Sequence, residues 1–567
     1  MKKWKIYTSL LIVLLLAGSA IFFSHLHKVA SFKKNKEITY PLPQENKRFV
    51  VVIPSYNNSL YCEDNIRSVL NQDYHDFRVI YIDDCSTDDT AEKVQRHVDL
   101  CFPNAPIKII KNTKRQGALA NFYYAVHSCQ DDEIIVVVDG DDKLANTHVL
   151  SKLNSVYANP EIWLTYGDFI DHPAYTARHL LCKKFPKHVI RNNTFRSHPW
   201  VSSHLRTFYA GLFKKIKLKD LLMDGSFFPM AGDLAVMFPM LEMAGEHHKY
   251  IRNTLYIYNC ENPINDNKVS AQLQLKCNHK ISKLPKYKPL KSLTSTQLAM
   301  PADLIIFSYD RPLQLYALLE SAHRYLTHVA NFSVIYRTSS SDYDTSYLDV
   351  IQAFPGVNFI KQSSIKDFKP LLMDVLSNTN ANHVIFAVDD MIVIDHLDVA
   401  LAVHDLEKTG AYGLYLAHGK EINYCYMEDR YTGVPPSIEA DKNLHIWQFK
   451  QGSGDWAYPN SLDMVLYRKQ DIIKCFSKLN FTNPNTLEGI WHTQAKLEKM
   501  GLYYTTPKAV NIPLNLVNIS SNRYLNTISA QELLLRFQEG YKIDISPLFQ
   551  IPHHARHMEY NPQFVLR

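Results

Sequence analysis

Two runs of apolar residues in this chain, 79–82 and 134–138, end abruptly in carboxylates. Strands that read as unbroken apolar runs are typical of a parallel sheet covered on both faces. Ligands of open α/β sheets bind just outside the carboxyl ends of such strands. Five acidic residues follow the two runs: Asp83, Asp84, Asp139, Asp141 and Asp142. Because like charges repel, we expect a cation or hydrogen-bond donors among these side chains.

Strand and helix patterns alternate around the two runs. An apolar strand over residues 49–53 comes first, and we expect it to stop at Pro54, because proline cannot continue a central ladder. Apolar residues then recur at helical spacing between one strand and the next. The alternation predicts an α/β fold with a mostly parallel, doubly wound sheet.

The same pattern begins again in the second half of the chain. Three segments repeat in the same order and at nearly the same spacing: residues 304–310 echo 51–57, residues 333–345 echo 78–90, and residues 384–390 echo 134–142. Two copies are too few for a solenoid. The sequence therefore predicts two tandem domains of one α/β fold.

The N-terminal segment predicts a membrane anchor. Residues 6–23 carry no charge and follow Lys2, Lys3 and Lys5. A helix over them is about 27 Å long at about 1.5 Å per residue, close to the ~30 Å hydrocarbon core of a bilayer. We expect an uncleaved, single-pass N-terminal anchor and membrane localisation, with a cleavable signal peptide as the alternative. The net charge of +6 indicates no nucleic-acid partner.

These patterns divide the chain into six predicted segments. They are a membrane anchor (1–28), a linker (29–46), a first α/β domain (47–272), a lysine- and proline-rich linker (273–298), a second domain of the same fold (299–515) and a C-terminal extension (516–567).

The segment Asp139-Gly140-Asp141 points to metal chemistry. Glycine lets the backbone come close to a ligand. Mg²⁺ or Mn²⁺ is usually held by one or two carboxylates together with phosphate oxygens. Such an ion offsets the charge on a diphosphate leaving group as a glycosidic C–O bond breaks. We therefore predict Mn²⁺ or Mg²⁺ as cofactor, with Asp139, Asp141 and Asp142 as ligands.

Residues 49–260 resemble a family 2 glycosyltransferase domain of the GT-A fold. Four segments carry the resemblance: Val-Val-Ile-Pro-Ser-Tyr-Asn (51–57), Ile-Asp-Asp-Cys-Ser-Thr-Asp-Asp-Thr (82–90), Gln-Gly-Ala-Leu-Ala-Asn (116–121) and Val-Asp-Gly-Asp-Asp (138–142). The resemblance implies that Pro54 and Tyr56 lie beside the nucleotide base and that Asp84, next to Asp83, hydrogen-bonds it. It also implies that Asp139 faces the ribose or the metal and that Asp141 binds the metal, a role that Asp142 fits equally.

Inverting sugar transfer also needs a general base, which takes the proton of the acceptor hydroxyl. The family carries this carboxylate at the start of a helix, well past the Asp-x-Asp segment. Asp233 fits that position, and its alternative role is to cap the helix. Glu242 is the next candidate. Arg206 is expected to contact phosphate or acceptor, or else to form a structural salt bridge.

The second copy departs from the first. Asp389 and Asp390 keep an acidic pair at a strand end, but Thr338-Ser339 stand where the first copy has Asp83-Asp84. Glu488 is a candidate base, with a role at the end of a helix as the alternative. The second copy is therefore expected to use another nucleotide, to bind differently or to be inactive.

The sequence thus predicts a membrane-anchored, metal-dependent inverting glycosyltransferase with two tandem GT-A-like domains. Its donor is a nucleoside-diphosphate sugar, a UDP-sugar in particular, and its acceptor a glycan, lipid or protein. Two alternatives stay open: a nucleotidyltransferase, which releases pyrophosphate, and a non-catalytic membrane-tethered scaffold that binds glycans.

Overall fold

The computed structural model describes residues 46–176, 182–294, 301–516, 523–525 and 528–567 of the 567-residue chain. Two large sheets organise it, one of eight strands in the first half and one of nine in the second. Alternate residues of the central strands enter apolar layers on opposite faces of each sheet. Both halves therefore have the predicted α/β architecture.

The first sheet has the strand order β3-β2-β1-β4-β7-β6-β8-β5. Its strands are β1 (Phe49–Ser55), β2 (Phe77–Asp83), β3 (Ile107–Lys111), β4 (Ile134–Val137), β5 (Lys143–Leu144), β6 (Leu164–His172), β7 (Arg206–Tyr209) and β8 (His248–Asn259). The longer helices of this half are α1 (Cys62–Leu70), α2 (Thr90–Cys101), α3 (Ala118–His127), α4 (Val149–Tyr157), α5 (Gly232–Ala244) and α6 (Ala271–Ser282). Strands β3, β2, β1 and β4 are parallel, whereas β7 is antiparallel to β4 and β6.

The central strand β1 shows why the sheet is doubly wound. Val52 joins one apolar layer with Phe122 of α3, and Ile53 joins the opposite layer with Ile66 of α1. Both β1 residues are fully buried. Burial on both faces explains the unbroken apolar run, because neither face of the strand contacts water.

The expectation that β1 stops before Pro54 is wrong. The strand continues to Ser55, and Pro54 pairs with Ile82 of β2. On its other side, β1 pairs with β4 only as far as Val52. Pro54 thus lies beyond the part of β1 that has two neighbours, so its missing N–H leaves no bond unmade on the β4 side.

The second sheet repeats this plan, with the order β11-β10-β9-β12-β16-β13-β17-β15-β14. Its strands are β9 (Ala302–Tyr309), β10 (Val329–Arg337), β11 (Asn358–Lys361), β12 (His383–Val388), β13 (Gly413–Tyr415), β14 (Ser437–Asp441), β15 (Leu444–Gln448), β16 (Val465–Arg468) and β17 (Met500–Tyr504). Its longer helices are α7 (Pro312–Tyr325), α8 (Ser341–Ala353), α9 (Phe368–Ser377), α10 (Val399–Thr409), α11 (Lys469–Phe476), α12 (Pro484–His492) and α13 (Ala530–Gln538). Strands β9 to β12 are parallel, and β16 is antiparallel to β12.

The two halves share one continuous apolar core. Buried residues of the first half, such as Leu218 and Met240, belong to the same cluster as Leu414 and Leu444 of the second. Polar contacts accompany it: the Tyr123 hydroxyl donates to the Ala440 carbonyl at 3.1 Å. The two domains therefore pack against each other as well as following one another in sequence.

The segment predicted as a lysine- and proline-rich linker is partly a helix that packs on the first domain. Cys277 and Ile281 of α6 are fully buried, and Leu290 donates a backbone hydrogen bond to Met243 of α5 at 2.8 Å. Leu273, Cys277 and Ile281 recur every four residues, a helical apolar face that the many lysines hide in the sequence.

The predicted C-terminal extension packs against the second domain. Its hairpin pairs Tyr541–Ile543 with Phe564–Leu566, and Lys542 forms an ion pair with Glu320 of α7. The six segment boundaries otherwise stay a prediction.

The predicted membrane anchor and membrane localisation need correction. No helix among the described residues is long and apolar enough to cross a bilayer. Residues 6–23, on which the prediction rested, lie outside the described residues.

A half-buried carboxylate at the domain junction, Glu407, makes the stability of the protein depend on pH. Glu407 of α10 accepts hydrogen bonds from Arg468 Nε at 2.6 Å and His383 Nε2 at 3.1 Å, and Lys217 Nζ of the first domain lies 4.0 Å away. Burial opposes ionisation, but the hydrogen bond from His383 and the charge of Arg468 lower the pKa of Glu407 to about 2.

We expect Glu407→Gln to lower the free energy of unfolding at neutral pH. An unfolded glutamate has a pKa of about 4.3, so the ionised Glu407 stabilises the fold fully above that pH and loses this contribution as pH falls towards 2. Urea unfolding at several pH values should show the gap between the wild-type protein and Glu407→Gln closing over that window. Glu421→Gln, at an exposed position, is the control. A gap that is constant with pH contradicts the prediction.

Candidate functional site

Two carboxylates and an imidazole meet at the carboxyl edge of the first sheet. Asp139 follows β4, Asp142 precedes β5, and His204 lies two residues before β7. One ligand atom from each lies within 4.8 Å of the other two, and this is the only such group in the part of the chain that the structure describes. Carboxylate oxygens suit Mg²⁺ or Mn²⁺, and an imidazole nitrogen favours transition ions. The donor set therefore fits a divalent cation such as Mn²⁺.

The group of three is held rigidly by its neighbours. The Tyr256 hydroxyl and the Asn259 N–H each donate to the Asp142 carboxylate at 2.7 Å. The Tyr256 hydroxyl also accepts from the Asp139 N–H at 3.0 Å, and the His204 ring stacks on the Tyr256 ring with centroids 4.5 Å apart. One buried tyrosine thus contacts the side chains of Asp142 and His204 and the backbone of Asp139.

The electrostatics of the group favour a bound cation. Burial, reinforced by the neighbouring Asp141 and Asp139, raises the pKa of Asp142 well above its usual range. Burial also raises the pKa of Asp139, against the opposing charge of Arg206. Burial and Arg206 lower the pKa of His204 far below its usual value, so the ring is neutral and keeps a lone pair. Arg206 Nη2 lies 3.3 Å from His204 Nδ1, so a cation that binds this nitrogen would take the place of Arg206 there, and it would hold both acids ionised.

Asp141, a predicted metal ligand, lies outside this group. Its Oδ2 accepts a hydrogen bond from Asn262 Nδ2 at 2.7 Å, and burial raises its pKa to about 6. The preceding Gly140 is required by close packing, because a Cβ there would lie 2.5 Å from Ser55 Oγ. The structure thus brings Asp139 and Asp142 together with His204, which could not be recognised from the sequence because it lies on a distant segment just before the antiparallel strand β7.

Arg206 connects the candidate metal group to the candidate base. Its Nη2 lies 3.6 Å from Asp139 Oδ2 and its Nη1 lies 3.5 Å from Asp233 Oδ2. Asp233 stands in the first turn of α5, but the N-cap residue is Ala231 and no side chain caps the helix. Capping therefore does not explain Asp233, whose side chain is 32% exposed beside Arg206.

Glu242, the other candidate base, is a structural residue. It is fully buried and binds the Arg196 guanidinium through both oxygens, at 2.7 and 3.0 Å. Glu242 also accepts from the Tyr287 N–H at 3.0 Å. With its hydrogen-bonding capacity used inside the fold, Glu242 cannot reach an acceptor hydroxyl.

Asp83 and Asp84 have different roles at the end of β2. The Gln116 and Gly117 N–H groups and Asn112 Nδ2 all donate to the Asp84 carboxylate at 2.8 Å, so Asp84 closes its own loop. Asp83 accepts one bond, from the Ser86 N–H at 3.1 Å, and its buried Oδ1 has no partner among the described residues. Of the two carboxylates, Asp83 is the one that retains a free acceptor.

The predicted base-binding face lies next to these acids. Pro54 and Tyr56 stand at the end of β1, and the Arg115 guanidinium lies 3.8 Å from the centroid of the Tyr56 ring. In this cation–π pair, Tyr56 supplies an aromatic ring and Arg115 a positive charge at the predicted base-binding face.

The second copy is offset from the sequence alignment by two residues. Ser55 of β1 pairs with Asp83, whereas the equivalent Ser308 of β9 pairs with Tyr336, and Tyr309 pairs with Arg337. The prediction that Thr338-Ser339 replace Asp83-Asp84 is therefore wrong. By strand register, Tyr336 and Arg337 occupy those positions, because the apolar pattern alone does not reveal a shift by one full alternation.

A cleft of about 440 Å³, which we call the second cleft, opens at the carboxyl ends of β9 and β12. The predicted acids Asp389 and Asp390 both lie in it, and Arg311 Nη1 donates to them at 2.9 and 3.0 Å. Arg311 also donates to the Asn515 carbonyl. Glu488 of α12 lines the same cleft. The structure thus gathers all three candidates of the second copy around one cavity.

Comparison with known proteins identifies the class of the first domain. Residues 50–216 match the family model described as Glycosyl transferase family 2. The matched segment contains the four motifs that carried the resemblance, which is confirmed. The first domain is therefore a family 2 glycosyltransferase domain.

Curated relatives share this segment. The bifunctional glycosyltransferase pgtA of Dictyostelium discoideum is 28% identical over 187 residues, 30% of this chain and 24% of that protein. The GalNAc(5)-diNAcBac-PP-undecaprenol beta-1,3-glucosyltransferase of Campylobacter jejuni is 32% identical over 113 residues, 19% of this chain and 35% of that protein. The chain thus spans less than half of the curated relatives it matches.

Solved structures were also compared. Staphylococcus aureus TarS 1-349 in complex with UDP-GlcNAc has a TM-score of 0.31 and 18% identity, covering 39% of this chain and 61% of that one. Glucosyl-3-phosphoglycerate synthase from Mycobacterium tuberculosis in complex with Mn²⁺, UDP and glucosyl-3-phosphoglycerate has a TM-score of 0.31 and 11% identity, covering 42% of this chain and 81% of that one.

The role assigned to Glu242 predicts an effect on stability. Glu242→Gln leaves the buried Arg196 guanidinium without a counter-charge, and breaking a buried ion pair typically costs about 3–5 kcal/mol. We expect a loss of that order in the free energy of unfolding, measured by urea titration. The exposed Glu246→Gln is the control. Unchanged stability with lost turnover would instead assign Glu242 to catalysis.

Proposed function

We propose that the first domain transfers a sugar from a nucleoside-diphosphate sugar to an acceptor hydroxyl, with inversion at the anomeric carbon. The observation that carries the proposal is the group of Asp139, Asp142 and His204, which Arg206 connects to Asp233 at the carboxyl edge of the sheet. A UDP-sugar is the proposed donor, and a glycan, lipid or protein the proposed acceptor.

In this reaction Asp233 takes the proton of the acceptor hydroxyl. The hydroxyl oxygen attacks the anomeric carbon from the side opposite the diphosphate, whose C–O bond breaks. Arg206 lies 3.5 Å from Asp233 and 3.6 Å from Asp139, so the proposed base is held close to the proposed leaving-group site. Two relatives are named as β-transferases, the outcome of inversion at an α-linked donor.

Asp139, Asp142 and His204 are the residues proposed to hold Mn²⁺ or Mg²⁺. When bound, the ion offsets the charge of the diphosphate. Tyr56 and Pro54, at the end of β1, are proposed to flank the nucleotide base. The unpartnered Asp83 Oδ1 is the proposed acceptor for an N–H of that base. Asp84 supports this face through the loop that it closes.

Asp233→Asn tests the base. We expect turnover to fall on the order of 10²–10⁴-fold, because proton transfer is lost, while donor binding stays within a factor of about two. Released nucleoside diphosphate, measured over a panel of nucleotide sugars with Mn²⁺, reports turnover, and calorimetry reports binding. Asp99→Asn, on the exposed face of α2, is the matched control. Near-normal turnover in Asp233→Asn would rule this residue out as the base, and released pyrophosphate would indicate a nucleotidyltransferase.

His204→Ala tests the metal group without relying on turnover. We expect wild-type protein to bind UDP at least tenfold more tightly with Mn²⁺ than in EDTA, because the acids at the strand ends repel a diphosphate unless a cation joins them. In His204→Ala the Mn²⁺ enhancement should shrink, since one ligand is gone. His247→Ala, which removes a ring stacked on Trp163 away from the group, is the control. UDP binding that Asp83→Asn abolishes, and so belongs to the first domain, and that is equally tight in Mn²⁺ and EDTA would contradict the metal assignment.

A further inference from the structure

The second cleft has the features of a prepared ligand site. Several buried polar atoms around it have no hydrogen-bond partner among the described residues: Arg311 Nε, Asp455 Oδ2, Asn515 Nδ2, Arg556 Nε and His557 Nδ1. Each of these side chains is more than nine-tenths buried. Buried polar groups are normally paired in folded proteins. The second cleft therefore offers both donors and acceptors to a polar ligand.

The positively charged side chain of Arg311 already lies between Asp389 and Asp390 in the second cleft. Arg311 follows the Ser-Tyr-Asp segment at the end of β9, where the first copy has Asn58 after Ser-Tyr-Asn. Its guanidinium bonds Asp389 and Asp390 directly, which is tighter than the 3.5–3.6 Å contacts of Arg206 in the first copy. A divalent ion would have to displace this buried arginine to reach the acid pair.

A second arginine lies at the nucleotide end of this cleft. Arg337 occupies the register position of Asp84, and its guanidinium lies 5.3 Å from the centroid of the Tyr309 ring. The first copy has the same pairing, Arg115 over Tyr56. Arg337 forms no ion pair within the described ranges, so its charge is available to a phosphate.

The carboxylate of Glu488 lines the second cleft and has a raised pKa. Glu488 Oε1 accepts from the Leu462 N–H at 3.0 Å, and burial together with the charge of Asp463 raises the pKa of Glu488 to about 7. The C-terminal residues Arg556 and His557 hold Asp463 at 2.9 and 3.2 Å. A base is most effective when its pKa is near the working pH.

We propose that the second cleft is a second site for a nucleoside-diphosphate sugar, and that it works without a divalent metal because the Arg311 guanidinium stands in the place of the ion. Arg337 binds the phosphates, and Glu488 receives the proton of the acceptor hydroxyl. The hydroxyl oxygen bonds to the anomeric carbon, the bond from that carbon to the phosphate oxygen breaks, and its electron pair leaves with the nucleoside diphosphate. The donor class rests on the function proposed for the first domain.

Counting Mn²⁺ ions separates the two sites. In a Mn²⁺ titration of the full chain followed by electron paramagnetic resonance, we expect one tight ion in the wild-type protein and none after Asp139→Asn with Asp142→Asn. Arg311→Asn, which copies Asn58 of the first domain, should add a second ion at Asp389-Asp390. A tight ion in the wild-type protein that Asp389→Asn removes would overturn the proposal, whereas loss of the first-domain ion alone bears only on the first site.

Donor binding in EDTA tests the second site even if Arg311→Asn fails to fold. We expect UDP-GlcNAc, UDP-glucose or GDP-mannose to bind the full chain in EDTA by calorimetry, and Arg337→Met to weaken that binding at least tenfold. The exposed Arg324→Met is the matched control and should leave it unchanged. Three results would overturn the proposal: no binding in EDTA, binding that persists in Arg337→Met, or binding that disappears in Asp83→Asn and so belongs to the first site.

Discussion

Carboxylates that gather at the carboxyl edge of a parallel sheet need a counter-charge, and much of the described structure serves that need. In the first copy, Asp139 and Asp142 lie beside the neutral His204, and Arg206 Nη2 lies 3.6 Å from Asp139 Oδ2 and 3.3 Å from His204 Nδ1. In the second, Arg311 fills the corresponding space and bonds both acids. Arg311 stands in the second copy where the first has Asn58, and its guanidinium supplies the second cleft with a positive charge that the first copy lacks at this position.

Counter-charges also join the parts of the chain. Arg196 and Glu242 tie the segment before β7 to α5, and Lys217 approaches Glu407 across the domain junction. The shared apolar core has the same effect, since Leu218 and Leu414 lie in one cluster. A fragment cut between the domains would expose part of that core to water, so variants of the full chain are the appropriate way to assign activity to either half.

The sequence predicted the elements that depend on local pattern. The apolar runs located β1, β2 and β4, and the carboxylates after them lie where the parallel sheet places strand ends. Asp233 was expected at the start of a helix and stands in the first turn of α5, while its role as the base stays a prediction. His204 and Arg206 were not recognisable as partners of Asp139, since only the antiparallel pairing of β7 with β4 brings them there. The two-residue offset that puts Arg337 in the place of Asp84 could not be predicted from the apolar pattern either, because a shift of two residues keeps every apolar side chain of a strand on the same face.

The position of Arg556 in the chain has a consequence for biosynthesis. Arg556 is the main counter-charge of Asp463, yet it follows that residue by 93 positions. At roughly 5–20 residues per second, a ribosome needs about 5 to 20 s to add them. During that interval Asp463 lacks Arg556, its hydrogen-bonding partner. The second cleft therefore cannot be completed until residue 556 has been translated. In the first domain Arg206, which lies beside both Asp139 and Asp233, is translated long before Arg556, so the nascent chain acquires its two candidate sites one after the other.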